Sequence, residues 1–87
     1  MGLDKVLKNK IYHTILKFFH ENPNSIDTPR GVATWTNQDI KKVRVSLKRL
    51  EKLGLLIDHR VSSTTGYSLT RNKKKIAEIS SLLETEE

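Results

Sequence analysis

The stretch DIKKVRVSLKRLEKLGLL, residues 39–56, decides how this chain folds. Asp39 is a residue type that caps the free amides at a helix start, and Gly54 is the type that ends one, because glycine takes a positive φ at the least steric cost. Between them Ile40, Val43, Leu47 and Leu50 recur at spacings of three and four, which places them on one stripe at about 100° per residue. Lys41, Val45, Lys48, Arg49 and Lys52 point the opposite way. The pattern predicts a helix over residues 39–53 with an apolar face for a core and a basic face turned outward.

The charge on that helix is most of the charge on the chain. Residues 41–52 hold Lys41, Lys42, Arg44, Lys48, Arg49 and Lys52 against Glu51 alone, so five of the net six positive charges lie there. Such a balance favours a polyanionic partner, nucleic acid or an acidic membrane surface. Two Phe, two Tyr and one Trp are few for a platform that stacks single-stranded bases, so duplex DNA leads.

Working outward, Leu7, Ile11, Ile15 and Phe18 or Phe19 predict a first helix over residues 3–20, stopped at Asn22-Pro23-Asn24. Thr28-Pro29 is a helix start, the hydroxyl capping and the proline standing where its missing N–H is harmless. That second helix is short, because Asn37 suits the left-handed conformation of a tight turn just before Asp39. Trp35 is expected to pack. Beyond Gly54, two β-prone stretches, 55–61 and 67–70, flank the polar residues 62–66 and predict a hairpin. Thr70 is expected to cap a last helix with an apolar stripe of Ile76, Ile79, Leu82 and Leu83.

The order of these features in residues 28–70 resembles the winged helix-turn-helix of MarR-like and ArsR-like transcriptional regulators. Val32-Ala33 correspond to the short helix with its small residue, Asn37 to the turn, Val43 to the branched core residue, and Leu47 to Leu56 to the Leu-x-x-Leu-x-x-x-Gly-Leu run; Tyr67 to Thr70 resembles the return strand of the wing. Thr36 and Gln38 stand where these regulators usually carry apolar residues. The resemblance implies a mainly α fold with a small β-hairpin: a three-helix core, a wing and a C-terminal helix. It divides the chain into a DNA-binding domain, 1–70, and a C-terminal helix, 71–87, that pairs two copies.

It further implies sequence-specific binding of double-stranded DNA by a small transcriptional regulator, with the helix over 39–53 in the major groove and the wing, 58–67, on the backbone or minor groove. The expected contacts are Gln38, Lys41, Lys42, Arg44, Val45, Lys48, Arg49 and Lys52 from the helix, and Arg60, Ser62 and Thr64 from the wing. Val45 is an odd residue to expose among cations, and a thymine methyl would account for it. Ile76, Ile79, Leu82 and Leu83 are the expected homodimer contacts; the alternative is that this stripe folds back onto the first helix of the same chain. The rival readings are a docking module of a larger transcription complex, with a protein partner, and a non-specific architectural nucleic-acid-binding protein.

Other classes find little support. The chain has no cysteine, which removes disulfides, thiolate zinc sites and thiol nucleophiles and fits the cytoplasm. His13, His20 and His59 are too scattered for a metal site, and no serine has the setting of a nucleophile. No cofactor and no catalysis are expected. Apolar runs of three or four residues fall far below the roughly 20 that span a bilayer, and the N-terminus lacks a signal-peptide pattern.

Overall fold

The computed structural model describes residues 3–61 and 63–84, the side chain of Val61 excepted. Its elements run α1 (Leu3–Lys8), α2 (Lys10–Glu21), α3 (Pro29–Thr36), α4 (Ile40–Lys52), β1 (Leu56–Val61), β2 (Thr64–Leu69) and α5 (Lys73–Glu84). Local chemistry sets most of these boundaries. Thr28 Oγ1 accepts the Gly31 amide at 3.2 Å with Pro29 opening α3, and Asp39 Oδ2 accepts the Lys42 amide at 3.2 Å to open α4. Both helices close with one device. After α3, Asn37 is left-handed (φ 55°, ψ 46°), and the Gln38 amide reaches back to the Ala33 carbonyl at 3.0 Å. After α4, Gly54 has φ 78°, and the Leu55 amide reaches the Leu50 carbonyl at 3.0 Å. Leu50 and Leu55 are both buried, the apolar contact that accompanies this motif.

The expected first helix is two. Asn9 adopts an extended backbone (φ −78°, ψ 122°) and its Oδ1 accepts the Ile11 amide at 3.0 Å, so it caps α2 and ends α1. Asparagine competes with the backbone for local hydrogen bonds, which disfavours it inside a helix and favours it at a cap. In α1 the neighbours Val6 and Leu7 are both buried, and along α2 the buried side is Tyr12, Ile15, Leu16 and Phe19.

The hairpin is longer and its turn tighter than the sequence suggests. β1 and β2 pair antiparallel from Leu56↔Leu69 to Val61↔Thr64, so only positions 62 and 63 connect them, and Thr64, Thr65 and Gly66 belong to a strand. Two-residue connections match the twist of paired strands, and β-branched threonines suit the pleat. The root of the wing is tied to the segment before α3 by paired bonds, Asp27 N to Tyr67 O at 2.9 Å and Tyr67 N to Asp27 O at 2.8 Å.

Two further expectations change. Trp35 does not pack: it is 74% exposed. The inner face of α3 runs through Pro29, Val32, Ala33 and Thr36, and Trp35 falls outside that stripe. The cap of α5 is Asn72, whose Oδ1 accepts the Lys75 amide at 3.0 Å, while Thr70 Oγ1 accepts the Asn72 amide at 3.2 Å.

α5 lies against α1 and α2 of its own chain. Ile79 has no exposed surface, so this residue, expected in a dimer interface, is in the core of its own subunit; Ile76, Leu82 and Leu83 are half-buried against the same core. The break at Asn9 gives the reason, since α1 and α2 together offer an apolar surface that the α5 stripe covers. His20 Nε2 and Ser80 Oγ, 3.1 Å apart, tie α5 to the end of α2. Truncating Ile79 to alanine should therefore cost about 2–5 kcal/mol of stability, as for other enclosed isoleucines. A urea titration reads this directly, and an unchanged midpoint would show that α5 does not share the core.

Candidate nucleic-acid interface

α4 is fixed from within and free without. Val43, Leu47 and Leu50 have no exposed surface, and Ser46 is buried on the flank that turns toward α2. Lys41, Lys42, Arg44, Val45, Lys48, Arg49 and Lys52 are all exposed, so the outer face expected from periodicity is the outer face of the structure. Among the described residues this face holds no acid, because Glu51 lies to one side.

Two recesses flank this ridge. The one toward the wing, a cleft of about 660 Å³, is lined by Thr28, Pro29 and Arg30 at the start of α3, Arg44, Val45 and Lys48 on α4, and Ser63, Thr64, Thr65 and Tyr67 of the wing. The other is lined by Asn9, Ile11 and Tyr12 together with Lys41, Lys42, Val45 and Ser46. Val45 borders both.

On the α2 side, Arg49 Nη1 donates to the Tyr12 hydroxyl at 3.3 Å. That bond joins residues far apart in sequence and holds a long cationic side chain against a buried one. On the wing side, exposed Arg60 pairs with Asp58 at 3.5 Å. An exposed pair of this kind contributes little to stability, yet it leaves the outer flank of the wing mixed in charge, with Lys48, Glu51, Asp58 and Arg60 around one shallow recess. On the opposite face of the hairpin His59 Nε2 and Ser68 Oγ lie 2.7 Å apart.

Of the other residues expected at the interface, Thr64 is exposed at the wing tip, and Gln38 is half-buried at the corner where its amide closes α3. Ser62 lies outside the described residues. Sequence reasoning missed Arg30 and Tyr12. Arg30 carried a signal, a cation in the first turn of a capped helix; Tyr12 carried none, since only the packing of α2 on α4 brings it to Arg49. Among the described residues there is no group of three or more His, Asp or Glu side chains fit for a metal, and no helix is long and apolar enough to cross a membrane.

Solved structures share the whole arrangement. A homodimeric winged helix-turn-helix DNA-binding domain from Mycobacterium bovis, described as a possible ArsR-family transcriptional regulator, superposes with a TM-score of 0.72 at 18% identity, over 90% of this chain and 68% of that one. A predicted DNA-binding transcriptional regulator from E. coli gives 0.73 at 20% identity, over 92% and 81%. The chain has the winged helix-turn-helix fold. The resemblance in residues 28–70 holds at that level: α3 and α4 are the helix-turn-helix, and β1 and β2 are the wing. The same fold forms 21% of human N-acetylserotonin methyltransferase (TM-score 0.65, 14% identity, 83% of this chain), so the fold does not by itself name a function. No protein-family model and no curated protein sequence matches the chain.

One titration reports on the junction between wing and core. Burial first, then the carboxylates of Asp58 and Glu51, raise the pKa of the Tyr67 phenol above 10.0, and only Arg60 pulls it down. The folded state thus holds the proton more tightly than the unfolded chain. The associated stability is fully present below about pH 10 and is lost as pH rises through the folded value. In thermal melts taken across this range, Tyr67→Phe should flatten the alkaline loss relative to wild type; equal slopes would place the phenol in ordinary solvent.

Proposed function

We propose that this chain binds double-stranded DNA as a small sequence-specific transcriptional regulator, not as an enzyme, with α4 in the major groove and the wing on the backbone or minor groove. The observation that carries the reading is the exposed cationic face of α4, bordered by the start of α3 and the wing tip. A helix enters a major groove about 12 Å wide, and cations on both sides of its ridge then face the two phosphate walls. Lys41, Lys42, Arg44, Lys48, Arg49 and Lys52 are the contacts from α4, and Gln38 supports them from the corner. Thr64 and Arg60 contact from the wing, Arg60 after leaving Asp58.

Lys48→Ala should weaken duplex binding and leave stability unchanged, because the side chain stands clear of the core. If Lys48 neutralises one phosphate, the slope of log K against log salt should fall by about 0.9. Fluorescence anisotropy with a duplex of random sequence, repeated over a salt series, measures both quantities. Binding that is absent or indifferent to salt would favour a protein-docking module.

The reading includes a homodimer. Two-fold pairing sets two recognition helices about 34 Å apart, one turn of DNA, and the M. bovis domain of the same fold is homodimeric. With Ile79 enclosed, the available surface is the recess between α1 and α5, where Leu3, Ala77 and Leu82 provide apolar area beside Asp4, Lys74 and Glu78. Leu82→Lys should convert a dimer to a folded monomer in sedimentation equilibrium; a wild-type chain that is monomeric at high micromolar concentration would remove this part of the proposal.

A further inference from the structure

Val45 is 62% exposed at the centre of a helix face otherwise made of lysine and arginine. Nothing in the fold explains it. Its neighbours in the core stripe are enclosed without it, and valine is a poorer helix former than the lysine, arginine or alanine that would serve an exposed position. Its place is singular too, since it borders both recesses beside α4 and so forms the crest between them.

We infer, resting on the DNA-binding reading above, that Val45 is a specificity-determining residue that recognises the C5-methyl group of a pyrimidine on the floor of the major groove. One turn away along the helix on either side stand Lys41, Lys42, Lys48 and Arg49. These side chains are long enough to reach outward to the phosphate walls, while valine is too short to reach anything but the groove floor beneath the helix. The floor presents donors and acceptors to polar side chains and a single apolar group, the methyl at C5 of thymine. A β-branched side chain in a helix holds one dominant χ1 rotamer, so the two valine methyl groups are fixed before contact, whereas the flanking cations must be ordered. The arrangement therefore selects thymine over cytosine at one position in each half-site. A 5-methylcytosine carries the same methyl at the same place.

The test uses the full chain and the tightest duplex recovered from a random pool at physiological salt. Each thymine is replaced in turn by deoxyuridine, which removes the methyl and keeps every hydrogen bond. One replacement per half-site should lower wild-type affinity by a factor of about four, the worth of one buried methylene. Val45→Ala should bind the thymine and deoxyuridine duplexes equally, and its exposed position leaves the fold intact, which circular dichroism checks. At the sensitive position, cytosine paired with guanine should bind more weakly than 5-methylcytosine paired with guanine. Deoxyuridine tolerated at every position, a recovered site with no invariant thymine, or a Val45→Ala variant that still senses the methyl would each overturn the inference while duplex binding stands. If the wild-type chain binds no duplex, the inference and the reading beneath it both fall.

Discussion

The constraint on which the molecule depends is the burial of Val43, Leu47 and Leu50 on the inner edge of α4. These three side chains, with Val32 and Ala33 of α3, fix the angle and rotation of α4, and every outward position follows from that rotation. Ala33 has to be small because the helices approach closely there. Between them lies a turn with no slack: Asn37 takes the left-handed conformation, and Thr36 Oγ1 donates to the Val32 carbonyl at 2.6 Å. Polar residues suit this corner: the Thr36 hydroxyl shares the Val32 carbonyl, and the left-handed Asn37 lets its own amide and that of Gln38 reach the Ala33 carbonyl that α3 would otherwise leave unpaired.

The charge on α4 runs against the local interest of the helix. Arg49 and Lys52 in the last turn suit the negative end of the helix dipole, but Lys41 and Lys42 stand in the first turn, where the dipole is positive and acids are favoured. Apart from the capping Asp39, the first turn has no acid. Six cations along one short helix also repel one another, an effect that solvent screens without removing. A helix so arranged is held in place by its core and is not improved by its surface. The surface has a different reason, and a polyanion that meets all of these charges together supplies one.

What could be read in the sequence was what neighbouring residues decide among themselves. The caps at Thr28 and Asp39, the left-handed turns at Asn37 and Gly54, and the two faces of α4 each rest on residues within a few positions of one another, so local chemistry suffices. The features missed depend on partners remote in sequence. Asn9 breaks the first helix by capping α2, but what the break is for lies far off, since the surface that α1 and α2 then offer is covered by α5, more than sixty residues later. Trp35 looked like a core residue on composition alone; its true place follows from which side of a two-turn helix meets α4. The stripe of α5 was legible as apolar, but periodicity does not say whether its cover is the same chain or another. The cationic face of the candidate interface was visible, while Arg30 and the hold of Tyr12 on Arg49 required three dimensions.

These long-range contacts converge on α2, which touches α1, α3, α4, β2 and α5. One side of this helix carries Tyr12, whose hydroxyl receives Arg49, and its far end carries His20, joined to Ser80 of α5. α2 thus stands between α5 and α4, and Lys75 of α5 also donates directly to the Leu53 carbonyl at the end of α4, at 3.4 Å. Packed interiors yield by discrete rearrangement and not by gradual bending. The fold sets its exposed helix on the same scaffold that seats its last helix, so the position of each is a condition on the other.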